Sequence, residues 1–192
     1  MSVSTKKIAV FASGNGSNFE AIAQSAAEKK IEAEVKLLIC DKPQAFVIER
    51  AKKFGIETHI LEPKNFSSKS EYEQKIVELL EQNEIDLICL AGYMRIVGVT
   101  ILEKYEGKII NIHPALLPAF KGATAIEDAF RFGVKVFGVT VHLIDSTIDG
   151  GTIVAQRAFE YHGQDIDEVE KKIHTIEHEL FPEAINYILS NK

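Results

Sequence analysis

Two polar side chains interrupt an apolar run at Ile109-Ile110-Asn111-Ile112-His113-Pro114. In a strand, residues two apart face the same side, so Asn111 and His113 project together. An amide N–H and an imidazolium aimed at one point would stabilise an oxyanion, which suits acyl transfer through a tetrahedral intermediate. A second polar set lies downstream in V-H-L-I-D-S-T-I-D-G-G, with His142, Asp145 and Asp149. A carboxylate beside an imidazole favours its protonated form and fixes its orientation. The pair Gly150-Gly151 permits a turn that brings Asp149 over the same sheet edge. No serine occupies a G-x-S-x-G elbow, and Cys40 and Cys89 both sit in apolar runs. Direct transfer between two bound substrates is therefore preferred to a covalent acyl-enzyme. On spacing alone, the alternative is a structural histidine held by an asparagine.

A third polar cluster lies near the N-terminus, where K-I-A-V-F-A runs into S-G-N-G-S-N and then F-E-A-I-A. This reads as strand, tight loop and helix. Gly14 and Gly16 permit positive φ and close approach of a ligand. Ser17 with Glu20 three residues on fits a capping box. Exposed N–H groups at such a helix start favour an anion, most simply a phosphate. A dinucleotide fingerprint needs a small residue where Phe19 stands, and a P-loop needs Gly-Lys-Ser/Thr, so NAD and ATP are disfavoured. The alternative is a βα turn with a good cap. Near the C-terminus, His174-Thr-Ile-Glu177-His178 matches H-x-x-E-H, a zinc-hydrolase pattern. A third metal ligand usually comes from well downstream, where little chain remains, so a chance match is the preferred reading and no metal is expected.

These residues need a scaffold that places strand ends side by side. Ile8–Ala12, Val35–Cys40, Thr58–Leu61, Leu87–Ala91 and Ile109–Ile112 read as strands, with helices over Ser17–Glu28, Gln44–Phe54 and Ser70–Gln82. Apolar strands separated by helices imply a mostly parallel sheet covered on both faces. Beyond Gly133, Val136–Leu143 and Thr152–Phe159 read as long strands, and Ile166–Leu189 as an amphipathic helix that Pro182 should kink or break. The expectation is a single α/β domain over residues 1–192, with a mostly parallel twisted sheet of about seven strands and helices on both faces. Ligands in such sheets bind beyond the carboxyl ends of strands.

The chain has 192 residues, 46% hydrophobic and 26% charged, and a net charge of −6. It is globular, and the charge argues against general nucleic-acid binding. Two cysteines in apolar runs read as reduced thiols, and neither a signal core nor a membrane-length apolar stretch is present, so a cytoplasmic location is expected.

N-I-H-P-A-L-L-P resembles the N-(I/V)-H-P-S-L-L-P signature of the folate-dependent formyltransferases. A-G-Y-M-R-I (91–96), G-V-T-V-H (138–142), I-D-G-G (148–151) and the leading I-A-V-F-A-S-G-N-G-S-N extend the resemblance, in order, over nearly the whole chain. The resemblance implies a Rossmann-like formyltransferase fold, with the phosphate loop in the N-terminal half and catalytic and folate elements in the C-terminal half. It implies formyl transfer from 10-formyltetrahydrofolate to the amine of glycinamide ribonucleotide, a step of purine synthesis, by a monomer or homodimer acting on small molecules, without nucleic acid or membrane. Asn111, His113 and Asp149 match the catalytic residues. Gly16, Ser17, Asn18, His174 and Glu177 match positions that bind the ribonucleotide. Met94, Arg95, Ile96 and Val97 match a wall around the pterin, with Asn111 and the loop Asp145, Ser146, Thr147, Ile148 and Asp149 also contacting the folate. Lys69 sits where a basic residue meets the folate's acidic tail. Ala115 replaces a commoner serine, and A-F-K-G-A-T-A-I lacks histidines that some relatives carry. Relatives acting on tRNA normally add a C-terminal domain, and folate hydrolases of this core an N-terminal regulatory one. Neither is expected here.

Overall fold

A computed structural model of the chain describes residues 5–190. Its strands are β1 (Lys6–Ala12), β2 (Ala33–Cys40), β3 (Glu57–Ile60), β4 (Leu87–Leu90), β5 (Ile109–His113), β6 (Val136–Leu143) and β7 (Ile153–Glu160). Its helices are α1 (Ser17–Ala27), α2 (Val47–Phe54), α3 (Lys69–Gln82), α4 (Val99–Lys104), α5 (Ala125–Phe132) and α6 (Ile166–Ser190). The strands form one sheet in the order β3-β2-β1-β4-β5-β6-β7. β1 to β5 run parallel to one another, whereas β6 pairs antiparallel with both β5 and β7. The sheet is thus mostly parallel, and its order reverses between β1 and β4, where α/β sheets place their ligands.

The period of two sorts the sheet into two cores. Ile8, Val10, Ile110, Ile112, Val139 and Val141 pack with apolar residues of α1, α2 and α6. Ala9, Phe11, Ile88, Leu90 and Ile109 pack with Tyr72, Ile76, Leu80 and Ile101 of α3 and α4. Alternation therefore directs Asn111 and His113 to the same face as Ile109. The register sets His142 opposite Asn111 and Thr140 opposite His113, so all four share that face.

Three local expectations are corrected. Ser17 is the first residue of α1, not its cap: Gly16 is the N-cap at φ 77, and no side chain caps it. Glu20 does not close a capping box but pairs with the guanidinium of Arg50. Pro182 does not break α6, which is one helix of 25 residues. Phe181, Ala184 and Ile185 around it are buried, and apolar packing on both sides of the proline offsets the lost backbone bond. The short helices α4 and α5 were not anticipated. α5 ends at Gly133 with φ 84, a left-handed cap that glycine adopts without steric cost.

Candidate active site

Beyond the carboxyl ends of β4 and β5 lies a cleft of about 330 Å³. Asn111, His113 and His142 line it, together with Met94, Arg95, Ile96 and Val97 on one side and Asp145 to Asp149 on the other. Met94, Ile96 and Ile148, each at least 60% exposed, give the cleft an apolar rim.

Hydrogen bonds orient the polar floor. The Nδ1–H of His142 donates to the carbonyl of Gly150 at 2.8 Å, which leaves its Nε2 as an acceptor. One N–H of Asn111 donates to that Nε2 at 3.1 Å. The plane of the Asn111 amide is thereby fixed, and its second N–H remains for the cleft. His113 is buried, and its Nε2–H donates to the carbonyl of Phe120 at 2.8 Å. Its Nδ1 stands 3.6 Å from Oδ1 of Asp149, an ion-pair distance rather than a hydrogen bond. The other oxygen of Asp149 accepts the Gly122 N–H at 2.7 Å. Both groups facing His113, the Phe120 carbonyl and the Asp149 carboxylate, are hydrogen-bond acceptors.

Both partners of His113 come from left-handed backbone: Phe120 has φ 50 and Asp149 φ 47. Such conformations cost about 1–3 kcal/mol each for non-glycine residues and gather at functional sites. The exit of β5 is held to β6 by Thr140, whose hydroxyl donates to Ala115 O at 2.6 Å and accepts from Leu117 N at 3.0 Å. Gly151 (φ 93) closes the other loop, where a Cβ would lie 2.0 Å from Leu143 O. Asp145 accepts from the hydroxyl and N–H of Thr147, which lowers its carboxyl's proton affinity.

His142 was singled out in the sequence but given no role, because its bond to Asn111 depends on the β5/β6 register. Burial holds its proton affinity below that of an ordinary imidazole. Its folded value therefore lies below the unfolded value near 6.5, and between them the unfolded chain binds more protons. Stability from neutral His142 is present above about 6.5 and is lost as pH falls. Protonation would also set an Nε2–H against the Asn111 N–H. Melting temperature and turnover are expected to decline together below about pH 6.5, and His142→Gln to flatten the decline in melting temperature. Thermal melts and rates across that range check this; parallel decline of parent and variant would contradict it.

A second cluster joins the glycine loop to α6. The buried carboxylate of Glu177 accepts from Asn18 Nδ2 at 3.2 Å and pairs with His174 Nδ1 at 2.9 Å, which raises the His174 proton affinity. Glu177 is thus engaged from both sides, and no group of three His, Cys, Asp or Glu suited to a metal occurs among the described residues. His178, the remaining member of H-x-x-E-H, has its Nε2 buried without a partner. The loop's shape requires Gly16: besides its positive φ, a Cβ there would lie 2.4 Å from Val47 Cγ2. Gly16, Ser17, Asn18, His174 and Glu177 line this junction rather than the cleft. Ser13 connects the two, since its N–H donates to Gly92 O at 3.0 Å and its hydroxyl accepts from Met94 N at 2.9 Å. Lys69 lies outside the cleft, at the start of α3 and behind the 93–97 wall, with its Nζ 3.7 Å from Glu73.

Residues 6–185 match the formyl transferase family model. The chain belongs to this family. A phosphoribosylglycinamide formyltransferase of Bacillus subtilis is 53% identical over 96% of this chain and 95% of its own length. The crystal structure of a glycinamide ribonucleotide transformylase 1 from Geobacillus kaustophilus superposes with a TM-score of 0.94 at 47% identity, covering 96% of this chain and 99% of that one. The human trifunctional purine biosynthetic protein adenosine-3 is 36% identical over 96% of this chain, which spans 18% of that larger protein. The family and its Rossmann-like α/β fold accord with the resemblance seen in N-I-H-P-A-L-L-P. Among the described residues, no helix is long and apolar enough to cross a membrane.

Proposed function

We propose that this formyl transferase moves the formyl group of 10-formyltetrahydrofolate to the amine of glycinamide ribonucleotide, giving formylglycinamide ribonucleotide and tetrahydrofolate, in purine synthesis. The observation that carries this reading is the floor of the cleft. A fixed amide N–H and an imidazole paired with a carboxylate sit beneath an apolar wall, next to an anion-type glycine loop. The names of the full-length relatives support the same acceptor.

The residues divide the work as follows. The acceptor amine attacks the formyl carbon, and the carbonyl oxygen gains negative charge. The free N–H of Asn111 and the Nδ1–H of His113 stabilise that oxyanion; Nε2 of His113 is committed to Phe120. Collapse expels N10 of the folate, which takes up the proton that the attacking nitrogen gives up. Asp149 holds His113 charged and relays that proton through water. The pterin packs on Met94 to Val97 and against the 145–149 loop, Lys69 meets the acidic tail, and the ribonucleotide phosphate binds Gly16, Ser17 and Asn18 with His174 and Glu177 nearby. No metal takes part.

Difference absorbance of the folate, with purified protein and both substrates, tests the reading. An acceptor-dependent signal is expected. Donor consumption that ignores the ribonucleotide would instead indicate a hydrolase, and no signal would sink the proposal.

A further inference from the structure

Glu73 is a buried carboxylate, 3% exposed, that the proposed chemistry does not use. Its Oε1 accepts the Gly98 N–H at 2.7 Å. Gly98 begins α4 and has no side chain to cap it, so Glu73 does from α3 what the glutamate of a capping box does from within its own helix. The preceding residue, Tyr72, bonds Tyr93 hydroxyl to hydroxyl at 2.7 Å. Two adjacent residues of one helix thus hold both ends of the 93–98 segment, whose Met94 and Ile96 face the cleft. The fit at Gly98 is close: a Cβ there would lie 2.5 Å from Glu73 Oε1 and 2.8 Å from Lys69 Cε.

We propose that Glu73 is a positioning residue for the formyl donor, acting through Gly98 to hold the apolar wall at the spacing that a bicyclic pterin fills; this rests on the reaction proposed above. The glycine loop that would take the acceptor is held by other contacts, through Arg50 and Glu177. Loss of the Glu73 contact should therefore weaken the donor selectively.

The test compares Glu73→Ala, Glu73→Gln, Gly98→Ala and the double variant Glu73→Ala/Gly98→Ala, with KM for each substrate and kcat, and amide exchange across residues 93–98. Glu73→Ala and Gly98→Ala are each expected to raise donor KM by about tenfold or more, with kcat and acceptor KM changed by less than about threefold, the size of a buried charge-assisted hydrogen bond. Glu73→Gln keeps a carbonyl oxygen for Gly98 without the charge, so its donor KM should fall clearly below that of Glu73→Ala, between it and the parent. The two alanine changes act on one contact, so their effects should not multiply. Amide exchange in the segment should quicken in Glu73→Ala whether or not formyl transfer is seen. If parent turnover is absent, the functional reading fails while exchange still judges the clamp. An unchanged donor KM, an equal rise in acceptor KM, or multiplying effects would overturn the proposal. If Glu73→Ala yields no folded protein, Gly98→Ala and Glu73→Gln decide on the same readouts.

Discussion

Asn111→Ala is expected to lower kcat by about 10²–10³-fold, the usual cost of removing one preorganised oxyanion donor. Substrate KM values should stay within a few-fold, because this N–H strengthens its bond only as charge develops on the formyl oxygen. The protein should still fold. Asn111 lies at the cleft edge rather than in either core, and the principal loss is the partner of His142 Nε2, a penalty of about 1–3 kcal/mol. Asn111→Asp should not restore the rate, since a carboxylate has no hydrogen for the oxyanion and would pull a proton onto His142. Steady-state kinetics with circular-dichroism melts separate the outcomes. Near-parent turnover from folded Asn111→Ala would remove the residue from the mechanism.

Asp149→Asn should be comparably damaging, with kcat falling by about 10²-fold or more, in the range assigned to a positioned proton-transfer group. The shape of the side chain is kept. Its amide oxygen can accept the Gly122 N–H, and asparagine tolerates the left-handed backbone at this position, so the loop should hold. What is lost is the negative charge 3.6 Å from His113 Nδ1. The loss is expected across the range in which the parent is active, with no recovery below about pH 6.5, where protonation of His142 also opposes turnover. A pH–rate profile of the variant against the parent measures this. An unchanged kcat would show that Asp149 only shapes the loop.

The juxtaposition of the polar residues was legible because their types are scarce in strands and their spacing is geometric, whereas spacing alone also fits a structural pair and the proposed chemistry came from the family resemblance. Asn111 and His113 share a face by the period of two, and the glycine loop announces itself by sitting between an apolar strand and an amphipathic helix. The cap at Ser17 was misread because a serine–glutamate pair at capping-box spacing does not reveal that Arg50, remote in sequence, claims the glutamate. Pro182 was misread for a related reason: local propensity favours a break, and burial of its neighbours overrides it. Lys69 is assigned to the folate tail by resemblance alone, and its charged partner is Glu73, which no local signal in α3 distinguishes from an ordinary surface i,i+4 pair.

By itself, the sequence determined the alternation of strands and helices, the mostly parallel sheet, the family signature and the polar side chains that share a strand face at Asn111 and His113. Those follow from short-range rules: side-chain periodicity, glycine and proline conformations, and residue chemistry. Only the tertiary structure decided that His142 lies across from Asn111, that Asp149 reaches His113 from 36 residues away in the chain through a turn closed at Gly151, and that Glu73 accepts the Gly98 N–H. Each of these is a contact between segments distant in sequence. Strand register and helix packing fix such contacts through the burial of whole faces, which no local pattern of residues encodes.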